Sequence, residues 1–163
     1  MDRLARMKLR NFISSLLAGF GATSVHIALM AIKHRFGILP NFEPYEDLQR
    51  LLSSVTSLSF EAPLSWLLPF INGALVLGFV FGRLFIHLPG RTALAKGAAF
   101  GLAAWLALGL GLLPLAGRGV FALDLGLGPA ALMLAMLMMY SIVMSLLYAW
   151  LTTPLRTKAQ GLH

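Results

Sequence analysis

Four long apolar stretches, nearly free of charged residues, constrain this chain more than any other feature. The first, Asn11 to Ile32, contains no Asp, Glu, Lys or Arg. As a helix it reaches about 33 Å, enough for a hydrocarbon core of about 30 Å. The second runs from Ala62 to Gly82 and continues through Arg83 to His87. The third covers about 95–116 and the fourth about 129–151. Lipid offers the backbone no hydrogen-bond partner, so such stretches must pair their own amides as helices. The pattern predicts an all-α membrane protein with four transmembrane helices, forming one domain over 1–163. Hydrophobic residues make up 58% of the chain and charged residues 12%. Soluble domains carry about 25% charged residues. This composition excludes a disordered chain and argues against a soluble enzyme. Cysteine is absent, which removes disulfides, thiolate metal sites and cysteine nucleophiles.

Charge at the ends of these stretches predicts their orientation. Arg3, Arg6, Lys8 and Arg10 precede span one. Arg83, Arg91 and Lys96 lie around the connection between spans two and three, and Arg156 and Lys158 follow span four. Lys33, Arg35, Arg50 and Arg118 fall on the other side, together with Glu43, Glu46, Asp47, Glu61 and Asp124. Basic residues favour the cytoplasmic side, so both termini are expected there. The apolar part of span one exceeds a signal peptide's h-region and lacks a good small-residue cleavage site, which predicts an uncleaved signal anchor. The net charge of +7 fits anionic headgroups; no basic helix or aromatic RNA-binding motif accompanies it, so nucleic acid is not an expected partner.

Two connections carry pattern of their own. In Lys33 to Glu61, Leu48, Leu51, Leu52, Val55 and Leu58 recur at helical spacing, behind Pro44 and a group of acids. This predicts an interfacial amphipathic helix at about 44–58, between spans one and two on the outer leaflet. The 114–129 connection, PLAGRGVFALDLGLGP, is short and apolar. Irregular backbone at membrane depth must be buried or wetted. The loop is therefore expected to cap the bundle, with a re-entrant loop as the alternative. Its two charges, Arg118 and Asp124, are candidates to pair. Pro69 is a candidate kink in span two, and Pro114 a candidate terminator of span three.

The chemistry-bearing residues are sparse. His26 lies in the outer half of span one, and His87 near the cytoplasmic end of span two. They are too far apart to share one haem iron. His34 follows His26 by eight residues, about 12 Å along a helix. No H-E-x-x-H motif occurs. No carboxylate lies inside a span, although proton-coupled transport usually places one near midplane. Ser141 and Ser145 would need His26 beside them to form a protease-like pair. Met133, Met136, Met138, Met139 and Met144 crowd span four; Met133, Met136, Tyr140, Met144 and Leu147 share a rough stripe suited to packing. Gly78 and Gly82, and Gly97 and Gly101, form two GxxxG pairs that allow close helix approach within the bundle or in assembly.

The segment Gly19, Phe20, Ala22, Thr23, the Leu88-Pro89-Gly90 turn followed by Lys96-Gly97, and Pro114 to Gly117 with Gly119 and Phe121 carry a resemblance. The layout resembles a family of small, uncharacterised bacterial inner-membrane proteins with four spans, over most of 12–150. The resemblance implies the fold and a bacterial inner-membrane location, and brings no catalytic residues. Span two of that family often carries a His near its start, where this chain has Leu68, Pro69 and Phe70.

These features lead to the expectation of a non-catalytic accessory or scaffold subunit of a larger membrane complex, of respiratory or photosynthetic type. Its expected partners are the lipid bilayer and other membrane subunits, and no resident cofactor or metal is expected. The alternative is a binder of a small hydrophobic ligand (lipid, quinone or haem), with His26 and Arg118 at the polar end of the pocket. A homo-oligomeric transporter is a third, weaker reading.

Overall fold

The apolar runs form long helices in the computed structural model of the chain, which describes residues 3–37, 69–115, 117 and 119–153. Helix α1 spans Arg3–Arg35. It extends past the apolar stretch at both ends, because its outer turns need not sit in hydrocarbon. Lys33, His34 and Arg35 occupy its last turn, where cations complement the helix dipole. Helix α2 spans Ile71–Leu84. Helix α3 spans Ala93–Leu115 and α4 spans Leu127–Thr152. Among the described residues there is no strand.

Local sequence explains the boundaries. Thr92 caps α3: its backbone is extended and its hydroxyl accepts from the Ala95 N–H at 3.2 Å. The third helix ends one residue past Pro114, as the sequence suggested. Gly126 precedes α4 at φ 98°, a conformation costly for any residue with a Cβ. Pro129 falls in the first turn of α4, where its missing N–H has no intrahelical partner to lose. Thr153 is extended, as the residue before Pro154 prefers, and α4 stops there.

The four helices alternate in direction. On α1 and α2, Phe12 meets Phe79, Ser15 meets Gly82 and Phe20 meets Phe70, so the pair is antiparallel. Gly21 faces Leu147 and His26 faces Tyr140, which sets α4 against α1 in the same sense. Gly97 abuts Ser141 and Ser145 while Gly101 abuts Met138, so α3 and α4 are also antiparallel. The start of α1, the α2–α3 turn and the end of α4 therefore share one end of the bundle. Phe81, Phe100, Tyr148 and Phe85 form an edge-to-face aromatic cluster near that end, with ring centroids 4.8–5.8 Å apart. The Lys96 ammonium closes the turn beneath it, donating to the Phe85 carbonyl at 2.7 Å and lying over the Phe85 ring.

Two stretches depart from α geometry. Ile71–Leu77 in α2 and Leu108–Leu112 in α3 are π-helical. The first begins two residues after Pro69, the position where the sequence pointed to a bend. Three of the helices are long and apolar enough to cross a membrane, while Ile71–Leu84 is shorter. The expected amphipathic helix at 44–58 and the expected start of span two at 62–68 lie outside the described residues.

Candidate functional site

His26 is buried on the inner face of α1. Its ring meets the Tyr140 ring edge-on, with centroids 6.1 Å apart. The Tyr140 hydroxyl donates to the Gly73 carbonyl at 2.7 Å. That carbonyl also accepts from the Gly78 N–H, closing the i+5 bond of the π turn. Thr23, one turn before His26, is 1% exposed and donates back to the Gly19 carbonyl at 2.8 Å. A Cβ at Gly73 would collide with the Thr23 hydroxyl, so glycine is what admits α1 here. Thr23, His26, Gly73 and Tyr140 thus form one polar cluster where α1, α2 and α4 meet. Lys33 is buried on the same face of α1, seven residues beyond His26.

The four glycines of the GxxxG pairs all face inward. A Cβ at Gly78 would lie 2.8 Å from the Ser15 carbonyl oxygen, and one at Gly82 would lie 2.6 Å from Ser15 Cβ. At Gly97 it would lie 2.8 Å from both Ile142 Cα and the Ser141 oxygen, and at Gly101 3.0 Å from Met138 Cα. These contacts are largely with backbone, which cannot swing away. Two interior serines lie on the same seam: Ser145 donates to the Ala93 carbonyl at 2.6 Å, and Ser141 is fully buried beside Gly97. The Ser145 hydroxyl is bonded to Ala93 and the Ser141 hydroxyl is not bonded to His26, so no Ser–His pair forms among the described residues. The Ser141 hydroxyl has no hydrogen-bond partner among the described residues.

The methionines of α4 pack rather than converge. Met133, Met136 and Met144 are buried in the interior; Met144 belongs to the aromatic core and Met133 packs with Leu113. Met138 lies against Gly101 on α3. In the connection after α3, a 3-10 turn covers Val120–Leu125. Phe121, at φ 56°, drops its ring onto Gly109 in the second π stretch and stacks on Trp105 at 4.2 Å. This region of the loop therefore packs on the side of the bundle. Arg118 lies outside the described residues. Asp124 is exposed, and its carboxylate crowds Gly119, whose φ of 68° needs a glycine.

Tyr140 was visible in the sequence only as part of an apolar stripe. A tyrosine in mid-span implies a buried acceptor for its hydroxyl, and that was the available signal. The identity of the acceptor was not available, because Gly73 is 67 residues away.

Among the described residues, a helical fold with three apolar helices of crossing length, a shorter apolar one and a polar cluster between them is compatible with a multi-pass membrane protein. More particularly, the chain belongs to a family of unknown function, DUF6789, whose model matches residues 9–159. No curated protein and no solved structure matches it.

Proposed function

We propose that the chain is a non-catalytic, four-span protein of a bacterial inner membrane, an accessory subunit that packs against other membrane proteins. One observation carries this reading. The interior hydroxyls of Tyr140 and Ser145 bridge between helices, and the GxxxG glycines face inward beside the aromatic core, while α2 and α3 also carry large apolar side chains on exposed faces. On α2, Ile71, Leu75 and Phe79 form an exposed ridge at a spacing of four; on α3, Leu102, Leu106 and Leu110 do the same. Such ridges fit the grooves of neighbouring helices. The fourth span of this reading takes α2 as its described part. The shared basic end, with Arg6, Lys8, Arg10, Arg83, Arg91 and Lys96, faces the cytoplasm.

Photo-crosslinking in the native membrane tests the reading. A photoreactive residue at Leu75 or Leu106 is expected to trap a discrete second protein, and one at buried Ala18 is not. Lipid adducts alone at both ridge positions would contradict it.

A second reading is binding of a small hydrophobic ligand, lipid, quinone or haem, at the inner cluster. It is favoured by the burial of His26 beside a π turn, since ionisable residues and π-bulges inside spans often mark functional sites. Under this reading, gently extracted protein retains a ligand that is lost in His26→Ala. A featureless visible spectrum and unaltered extracted lipids in both proteins would remove it.

A further inference from the structure

α1 and α2 approach closely at Gly19, whose Cβ position lies 2.7 Å from the Gly73 oxygen and 3.1 Å from Gly78 Cα. Ser15 against Gly82 is the next contact toward the basic end. From there α1 continues about two turns, roughly 10 Å, to Lys8, while α2 ends at Leu84. The space left between them is an open cleft of about 500 Å³. Its polar groups are Lys8 and Asn11 from α1 and Arg83 from α2. Its apolar walls include Phe12 and Phe79, whose rings meet edge-on at 6.1 Å and are 43% and 45% exposed. Ser15 and Gly82 form its floor.

Two cations from different helices line this cleft without a carboxylate among its lining residues. Asp124 is the only acidic residue among the described ones, and it lies in the connection at the other end of the bundle. No acidic side chain among the described residues balances this positive charge, which suits an anionic ligand. The apolar walls say which kind. A free inorganic ion gains nothing from Phe12 and Phe79, whereas an acyl chain buries itself along them. Basic pockets between transmembrane helices, near the headgroup level, are suited to anionic lipids. Arg83 also presents a planar fork that pairs with phosphate oxygens at two points, and Lys8 supplies a mobile point charge.

We propose that this cleft is a binding site for an anionic glycerophospholipid. Its phosphodiester lies between Lys8, Asn11 and Arg83, and its acyl chain runs past Phe12 and Phe79 toward the membrane interior. A second, smaller cleft of about 280 Å³ on the adjoining face of α1 includes Arg6 and Arg10, and it extends the basic surface around the same headgroup level. The inference stands whether or not the bundle joins a larger complex.

The test uses the full chain in neutral detergent with mixed phosphatidylglycerol and phosphatidylcholine, read by native mass spectrometry. The wild type is expected to retain one phosphatidylglycerol in preference to phosphatidylcholine. The Lys8→Gln, Arg83→Gln double variant is expected to lose that preference by about tenfold or more. Lys8→Arg, Arg83→Lys keeps both charges and retains it, and Arg91→Gln, outside the cleft, leaves it unchanged. Helical content by circular dichroism confirms that each variant is folded. Equal retention of both lipids by the wild type would overturn the proposal, as would an unaltered preference in the double Gln variant. Displacement of the lipid by water-soluble glycerophosphate at comparable concentration would also overturn it, because the site would then be one for a free anion.

Discussion

At the residue scale, the interior of the bundle contrasts two serines one turn apart. Ser145 bridges to the Ala93 carbonyl, whereas the Ser141 hydroxyl is fully buried with no bond to any described residue. An unmade buried hydrogen bond costs about 1–3 kcal/mol, so removing the hydroxyl relieves a penalty. Ser141→Ala is therefore expected to leave thermal stability in detergent unchanged or raised. Ser145→Ala is expected to lower it by about 0.6–1.5 kcal/mol, in the range measured for interhelical hydrogen bonds in membranes. Tyr140→Phe belongs with Ser145→Ala, because it leaves the Gly73 carbonyl with only its π-turn partner. A Tyr140→Phe protein as stable as the wild type would show that this bond contributes little. The sequence located these polar residues within spans but not their partners. A hydroxyl's partner depends on helix rotation and depth, and both are set by residues far away in the chain.

At the element scale, glycine determines where helices touch. A Cβ at Gly97 would meet α4 backbone at 2.8 Å, whereas one at Gly111 would meet nothing within 4 Å. Gly97→Val is expected to destabilise the α3–α4 seam by about 1–3 kcal/mol, the usual cost of overpacking. Gly111→Ala is expected to stay within about 1 kcal/mol of the wild type, because Ala is the better helix former. Melting the two variants side by side in one detergent checks the difference; equal melting points would place α3 differently from the structure. Gly109 has another role, admitting the Phe121 ring that stacks on Trp105. In a Trp66→Phe, Trp150→Phe background, Gly109→Ala should raise quenching of Trp105 fluorescence by acrylamide. Unchanged quenching would mean that the ring does not depend on the notch. The GxxxG spacing made close approach at Gly78, Gly82, Gly97 and Gly101 legible beforehand. The notches at Gly73 and Gly109 were not legible, because each depends on a π stretch, and no simple periodicity marks one.

At the scale of the whole molecule, four helices run alternately up and down, and most of the basic residues collect where α1 begins, α2 meets α3 and α4 ends. Apolar stretch length and flanking charge made the three longest helices legible to within a few residues at most boundaries. α1 proved longer than its apolar stretch because Arg3 to Arg10 continue the same helix. Since the chain has no cysteine, single-cysteine labelling has no background. Met7→Cys, Thr92→Cys and Thr153→Cys are expected to react from one side of the membrane and Phe36→Cys from the other; labelling of Thr92→Cys and Phe36→Cys from the same side would break the alternating topology. The bundle's outer ridges at Ile71, Leu75 and Phe79 and at Leu102, Leu106 and Leu110 are the surfaces through which a subunit would meet its neighbours. The direct measurement of that claim is native mass spectrometry of the protein released gently from its own membrane. A reproducible heteromeric mass containing this chain with other membrane proteins is expected. A bare monomer or homo-oligomer, obtained under conditions that keep other membrane complexes intact, would contradict it.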